Sequence, residues 1–184
     1  MLDCPALARH MRGMLRICSL LVLALASPAL AGPVLADPVL AGWARVVDGD
    51  TIELHTADGR EKIRLHGIDA PEKRQTCLTD DGVPWACGRV ATSILADMAR
   101  NELRCEGLGR DRYKRLIARC FAQGRDLGAA MVERGAAYAY RKYSHDYVAQ
   151  EARARAAARG VWAGQAQTPE SYRAAKRGKP KPTS

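Results

Sequence analysis

Between Gly42 and Asp69 the chain reads GWARVVDGDTIELHTADGREKIRLHGID, and the alternation in that stretch leaves few folds open. Apolar and polar residues alternate through residues 51–55 and again through 62–68, with Asp58-Gly59 between them. A period of two with a turn dipeptide in the gap predicts a three-stranded antiparallel meander. On its third strand Ile63, Leu65 and Gly67 would share one face, and Arg64, His66 and Ile68 the other.

The rest of the chain sorts into shorter pieces. Residues 70–87 show no period and carry Pro71 and Pro84, which predicts a loop closed by Cys77 and Cys87. GRVATSILADMAR places Val90, Ala91, Ile94, Leu95 and Met98 on one helical face. ELRCEGLGRDRYKRLIARCFAQGRD reads as a second hairpin turning near residues 109–113. Cys105 and Cys120 then lie equally far from its midpoint, where a cross-strand disulfide would fit. A short helix over 127–134 ends at Gly135, and AAYAY is a brief extended piece. A helix over 146–159 ends at Gly160, with Trp162 placed to pack it onto the body. From about residue 165 the Pro, Lys, Arg and Ser content predicts disorder. The expected class is α+β: an OB-fold-like five-stranded β-barrel with three helices, over residues 42–163, followed by a basic tail over 164–184.

Residues 1–31 have the pattern of a signal peptide. Arg9, Arg12 and Arg16 precede an apolar run that ends in Ala29-Leu30-Ala31, a small-x-small cleavage pattern. Residues 32–41 then form a short linker, and the mature protein is expected to be secreted or periplasmic, with no stable membrane association and as a monomer. The whole chain carries a formal charge of +9. Such an excess attracts polyanions, although the tail supplies much of it. Four cysteines follow the leader (Cys77, Cys87, Cys105, Cys120), none in a Cys-x-x-Cys pair, so a zinc ribbon is excluded. In an oxidising compartment four cysteines allow three pairings, and the two closures above favour Cys77–Cys87 and Cys105–Cys120.

Charged residues gather where strands end. Asp50 lies in DGDT, where Gly49 permits a tight turn and Asp48 can bond its backbone. Asp69 ends the third strand, and Glu72 follows it by three residues, past Pro71. Two aspartates, a carbonyl and waters would form an oxygen-only site, which suits calcium better than zinc. Glu72 could serve as general base to a water. Arg64 and Arg115 could fork onto phosphate oxygens as lysine cannot. This is the set that phosphodiester hydrolysis requires, because negative charge builds at phosphorus in the transition state. Each residue alone would more often be a turn aspartate or a rim ion pair of little energetic weight.

Taken together and in order, VVDGDTIEL, RLHGIDAPE and DRYKRLIA resemble the signatures of the thermonuclease family, the staphylococcal-nuclease-like domain, from about Gly42 to Trp162. The resemblance implies an OB-fold barrel with three helices. It also implies a secreted, calcium-dependent nuclease acting on DNA and RNA and leaving 3′-phosphate ends. By position, Asp50 and Asp69 match the calcium aspartates and Ala70 the residue that ligates through its carbonyl. Arg64, Glu72 and Arg115 match the catalytic trio. Arg112 and Tyr113 match contacts to a nucleotide's terminal phosphate, and Tyr138 and Tyr140 match two tyrosines of the nucleotide pocket. On an extended piece those two tyrosines share a face and could flank a nucleotide.

The chain departs from the family pattern at several points. Ala70 stands where threonine or serine is usual. Lys114 replaces a common glycine and could displace Arg115 or add a phosphate contact. Arg112 stands in place of lysine, and the loop over 73–87 and the Cys105/Cys120 pair are this chain's own. Two other readings compete with a nuclease. One is a binding module of the same fold that has lost its catalytic groups, against which the complete residue set argues. The other is a cell-envelope accessory protein of polysaccharide export.

Overall fold

The structure, a computed structural model, describes residues 38–178. The leader, most of the linker and the last six residues of the chain lie outside the described residues. The meander is present as β1 (Val39–Val46), β2 (Thr51–Thr56) and β3 (Gly59–Leu65). Strand β1 therefore takes in residues 39–41, assigned to the linker from sequence. The third strand ends sooner than its alternation suggests. Gly67 adopts φ +71°, a left-handed conformation that a side chain disfavours. It restarts the chain as β4 (Ile68–Asp69). Ile68 is consequently buried in the core, not aligned with Arg64 and His66 on the outer face.

Residues 70–87 are not the unstructured loop expected from their lack of period. They contain a small hairpin of β5 (Cys77–Thr79) and β6 (Pro84–Trp85), and Cys77 is disulfide-bonded to Cys87 at the start of α1 (Cys87–Met98). Helix α1 buries Ala91 and Leu95, with Ile94 and Met98 partly covered, while Val90 points out and is exposed. The second hairpin is β7 (Leu103–Arg110) and β8 (Leu116–Ala122), with Cys105 directly opposite Cys120 and bonded to it.

Five strands close into a barrel. The C-terminal half of β1 pairs with β2 and its N-terminal half with β7, and β3 closes the ring by pairing in parallel with β8. Where β1 changes partner, a Cβ on Gly42 would lie 2.1 Å from the His55 carbonyl oxygen, so the crossing needs glycine. Ile52, Leu54, Ile63, Leu103 and Met131 fill the interior and are fully or almost fully buried. Each such side chain contributes roughly 1.5–3 kcal/mol relative to exposure.

Past the barrel come β9 (Arg125–Asp126) and α2 (Leu127–Glu133), whose N-cap Asp126 accepts the Ala129 N–H at 3.0 Å. Strand β10 (Tyr138–Ala139) pairs with β4, and α3 (Val148–Ala156) is shorter at both ends than the 146–159 expected. A turn of 3-10 helix (Gly160–Trp162) sets the Trp162 ring 4.9 Å from Tyr138 and 3.9 Å from the Arg155 guanidinium carbon.

The tail departs most from expectation. Instead of disorder from residue 165, β11 (Gly164–Gln165) pairs with β5 and α4 (Pro169–Arg177) follows. Thr168 caps α4 by accepting the Ser171 N–H, Pro169 opens it, Glu170 lies in its first turn, and Lys176 and Arg177 lie in its last. These are favourable terminal placements, and they make a fourth α-helix where three were expected.

Candidate active site

The left-handed step at Gly67 brings β4 back under the end of β3, so that two aspartates from separate turns face one arginine. Arg64 Nη1 donates to Asp50 Oδ1 at 2.6 Å, and Nη2 donates to Asp69 Oδ1 at 2.9 Å. Nη2 also reaches the Ile68 carbonyl at 3.3 Å. Both aspartates are nearly inaccessible, at 4% and 3% exposure. Buried carboxylates need such partners, since an unpaired one costs several kcal/mol.

Asp50 is fixed by its turn. Asp48 Oδ1 accepts the Asp50 N–H at 3.1 Å, as the DGDT motif suggested, and the Asp50 carbonyl accepts the Leu65 N–H at 2.8 Å. Its second carboxylate oxygen accepts the Ala70 N–H at 3.0 Å. Burial pushes the Asp50 carboxyl up to about 7 against the pull of Arg64, with Asp48 adding to the push. Burial also opposes the charge on Arg64, but Asp50 and Asp69 outweigh it and hold the guanidinium above its ordinary value.

Glu72 is placed through its backbone. Its N–H donates to Gln75 Oε1 at 3.1 Å, and its carbonyl accepts the Gln75 N–H at 2.6 Å. Gly88 in the first turn of α1 approaches so closely that a Cβ there would sit 1.8 Å from the Glu72 carbonyl oxygen. The Cys77–Cys87 bond and α1 thus fix the Glu72 backbone beside the aspartates.

A residue that sequence reasoning missed joins them. Arg173, from α4, donates through Nη1 to Asp69 Oδ1 at 3.0 Å and through Nη2 to Asp69 Oδ2 at 2.9 Å. The same Nη1 donates to Glu72 Oε1 at 2.8 Å. Burial works against its charge, yet bonds to Asp69 and Glu72 hold its guanidinium above the usual value. The TPE start of α4 was a readable helix signal. Nothing in the sequence singles out Arg173 from the other tail cations.

Arg115 bonds a carboxylate of its own turn rather than this cluster. Arg115 stands just before β8, and its Nε and Nη2 bond Asp111 Oδ2 at 2.8 and 2.6 Å. Asp111 Oδ1 also accepts the N–H groups of Tyr113 and Arg115, at 2.8 and 3.0 Å. These bonds outweigh desolvation and keep the Asp111 carboxyl below its ordinary value. Tyr113 is exposed, with the Arg112 guanidinium carbon 4.8 Å from its ring centre. The glycine-replacing Lys114 adopts φ +64°.

Tyr138 lies opposite Asp69 in the β10–β4 ladder and is buried, which raises its hydroxyl to about 12. Its hydroxyl lies 3.5 Å from the Gln167 carbonyl, so the segment leading into α4 covers it. Tyr140 packs edge-on against Tyr143, with ring centres 4.9 Å apart. The two tyrosines therefore do not present a shared open face.

The donor chemistry fits a hard cation. Two carboxylates meet with a third nearby, no thiolate or imidazole joins them, and they already gather guanidinium groups. Among the described residues no group of three His, Cys, Asp or Glu side chains could hold a metal ion. An ion here would rest on Asp50 and Asp69, with waters and substrate oxygens completing its shell.

The arrangement has known relatives. The family described as Staphylococcal nuclease homologue matches residues 62–164. The succinoglycan biosynthesis protein ExoI of Rhizobium meliloti is 41% identical over 97 residues, covering 51% of this chain and 49% of that protein. An uncharacterized endonuclease of Haemophilus influenzae is 35% identical, covering 65% of this chain and 64% of its own. The micrococcal nuclease of Shigella flexneri is 34% identical over 146 residues, covering 71% and 78%. The match runs from within β3 to the start of β11, more than half of the chain and including Arg64, Asp69, Glu72 and Arg115, and on that ground the chain belongs to the staphylococcal nuclease homologue family.

Proposed function

We propose that this protein is an exported, calcium-dependent nuclease that hydrolyses phosphodiester bonds of DNA and RNA, acts as a monomer and leaves 3′-phosphate ends. The observation that carries the reading is the Arg64 fork shared by the buried Asp50 and Asp69, with Glu72 joined to Asp69 through Arg173. A rim ion pair would be exposed; here both aspartates are buried and the Arg64 side chain is only 18% exposed. The two disulfides and the leader-like residues 1–31 support export.

Asp50, Asp69 and the Ala70 carbonyl would hold the cation, which when bound polarises a phosphoryl oxygen. Glu72 takes a proton from the attacking water at a carboxylate oxygen. The new P–O bond forms in line as the bond to the 5′ oxygen breaks, and that oxygen takes a proton from solvent water and leaves as a hydroxyl, the hydroxide so formed being neutralised by the proton Glu72 releases. Arg64 and Arg115 offset the charge gained at phosphorus. Arg112 and Tyr113, exposed on the β7–β8 turn, contact a neighbouring phosphate, and the partly exposed Tyr140 borders the nucleotide, while Tyr138 is covered at Gln167.

The test is nicking of supercoiled plasmid by the purified mature domain. Turnover is expected in calcium and its loss in chelator. Plasmid retention without nicking in any cation would overturn the enzyme reading. The ExoI similarity favours a second reading, a role beside polysaccharide synthesis. Tight polysaccharide binding by a protein inert towards DNA would support it.

A further inference from the structure

The carboxylates of this site are already occupied, and the occupant comes from the part of the chain outside the barrel. Asp50 Oδ1 accepts Arg64 and the Thr51 hydroxyl, and Oδ2 accepts the Ala70 N–H. Asp69 Oδ1 accepts Arg64 and Arg173, Oδ2 accepts Arg173, and Glu72 Oε1 accepts Arg173. Every oxygen of the two aspartates thus has a donor. Arg64 holds one oxygen of each aspartate, and Arg173 holds both oxygens of Asp69 and joins it to Glu72.

Helix α4 is anchored where this matters. The Gln167 carbonyl, at its approach, accepts the side-chain N–H of the buried Gln75 at 2.8 Å, and the Tyr172 hydroxyl donates to the Arg74 carbonyl at 3.1 Å. Gln75 also holds the Glu72 backbone, so one residue ties the helix to the acid. Beside Glu72 lies a groove of about 420 Å³ lined by Lys73, Arg74, Arg173, Lys176 and Arg177. A divalent cation approaching through it meets like charge on both walls.

We propose that α4 is an autoinhibitory latch in which Arg173 competes with the divalent cation for Asp69 and ties up the Glu72 carboxylate beside it. The cation cannot take both oxygens of Asp69 while the guanidinium forks onto them, so metal binding requires α4 to swing away at the 166–168 approach. This deepens the nuclease reading of the same site and rests on it. A latch that keeps the site closed for all but one part in 10 to 100 weakens apparent cation affinity by about the same factor.

The experiment titrates terbium, a hard luminescent probe of oxygen-rich calcium sites, into the wild type, Arg173→Ala and a chain ending after Thr168. The last keeps Gln167 and removes the helix with the seven residues that follow it, so it serves if Arg173→Ala fails to fold. Terbium binding about 10-fold or more tighter in the variants supports the latch. Equal affinity in all three, or binding in none, overturns it. Plasmid nicking is measured separately. Tighter terbium binding without nicking in any form would sink the nuclease reading and leave the latch standing, while nicking with unchanged affinity would do the reverse.

Discussion

Arg64 and Arg115 leave the barrel on one face of adjacent strands and end in different surroundings. Strands β3 and β8 pair in parallel with Arg64 opposite Ile117, so Arg115, two residues earlier, continues the same outward side. Arg64 is part of a strand, and its guanidinium is pinned between two buried aspartates whose positions are set by backbone bonds. Arg115 closes a turn, and its guanidinium is held by one carboxylate four residues away. The barrel fixes the first as part of the fold. The second takes its place from a single side chain in a turn, and a site built from both has one rigid limb and one adjustable limb.

The largest effect expected from this contrast is at the rigid limb. Arg64→Lys keeps a positive charge beside Asp50 and Asp69 but cannot fork across them, so nuclease turnover should fall by roughly 10³-fold or more. Circular dichroism should show an intact barrel, since Asp50 keeps the Ala70 N–H and the Thr51 hydroxyl and Asp69 keeps Arg173. Turnover within a few-fold of wild type would mean that the fork serves the fold alone.

At the adjustable limb the effect should be smaller. Asp111→Ala removes the acceptor of the Tyr113 and Arg115 N–H groups and frees the Arg115 side chain. Misplacement of a positioned group by about an ångström costs on the order of 10²-fold, which sets the expected loss in turnover. The melting temperature should change little, because Asp111 is near the surface and outside the core. A rise in turnover would show instead that Asp111 holds Arg115 away from the phosphate.

The same contrast explains what could be read in advance. The barrel was legible because its strands run six to eight residues, long enough for a two-residue period to show. The helix faces carried their 3.6 period, apart from Val90 at the edge of α1. Residues 70–87 and 164–178 were not legible, since β5, β6 and β11 run two or three residues and stabilise one another across some 85 positions of sequence. In the site, Asp50 and Asp69 stood in recognisable turns, and the resemblance named the remaining family positions. Arg173 belongs to no motif and acquires its partners through a fold the composition disguised.

The smallest effect concerns Lys114, and it sharpens the account of the adjustable limb. At φ +64° its side chain costs on the order of 1 kcal/mol or more, which glycine would relieve. Glycine also loses more freedom on folding, so Lys114→Gly should gain only about 0.5 kcal/mol net, a rise of one or two degrees in melting temperature. The turn should survive, because its bonds at this position use backbone atoms. The Lys114 N–H donates to the Asp111 carbonyl at 2.9 Å, and the Lys114 carbonyl accepts Arg110 Nη1 at 2.9 Å. A modest rise in stability with unchanged turnover would make the lysine a strained substitute for glycine. A fall in turnover that is largest at low salt and fades as salt rises would make its ammonium a phosphate contact, and the strain would then be maintained for binding.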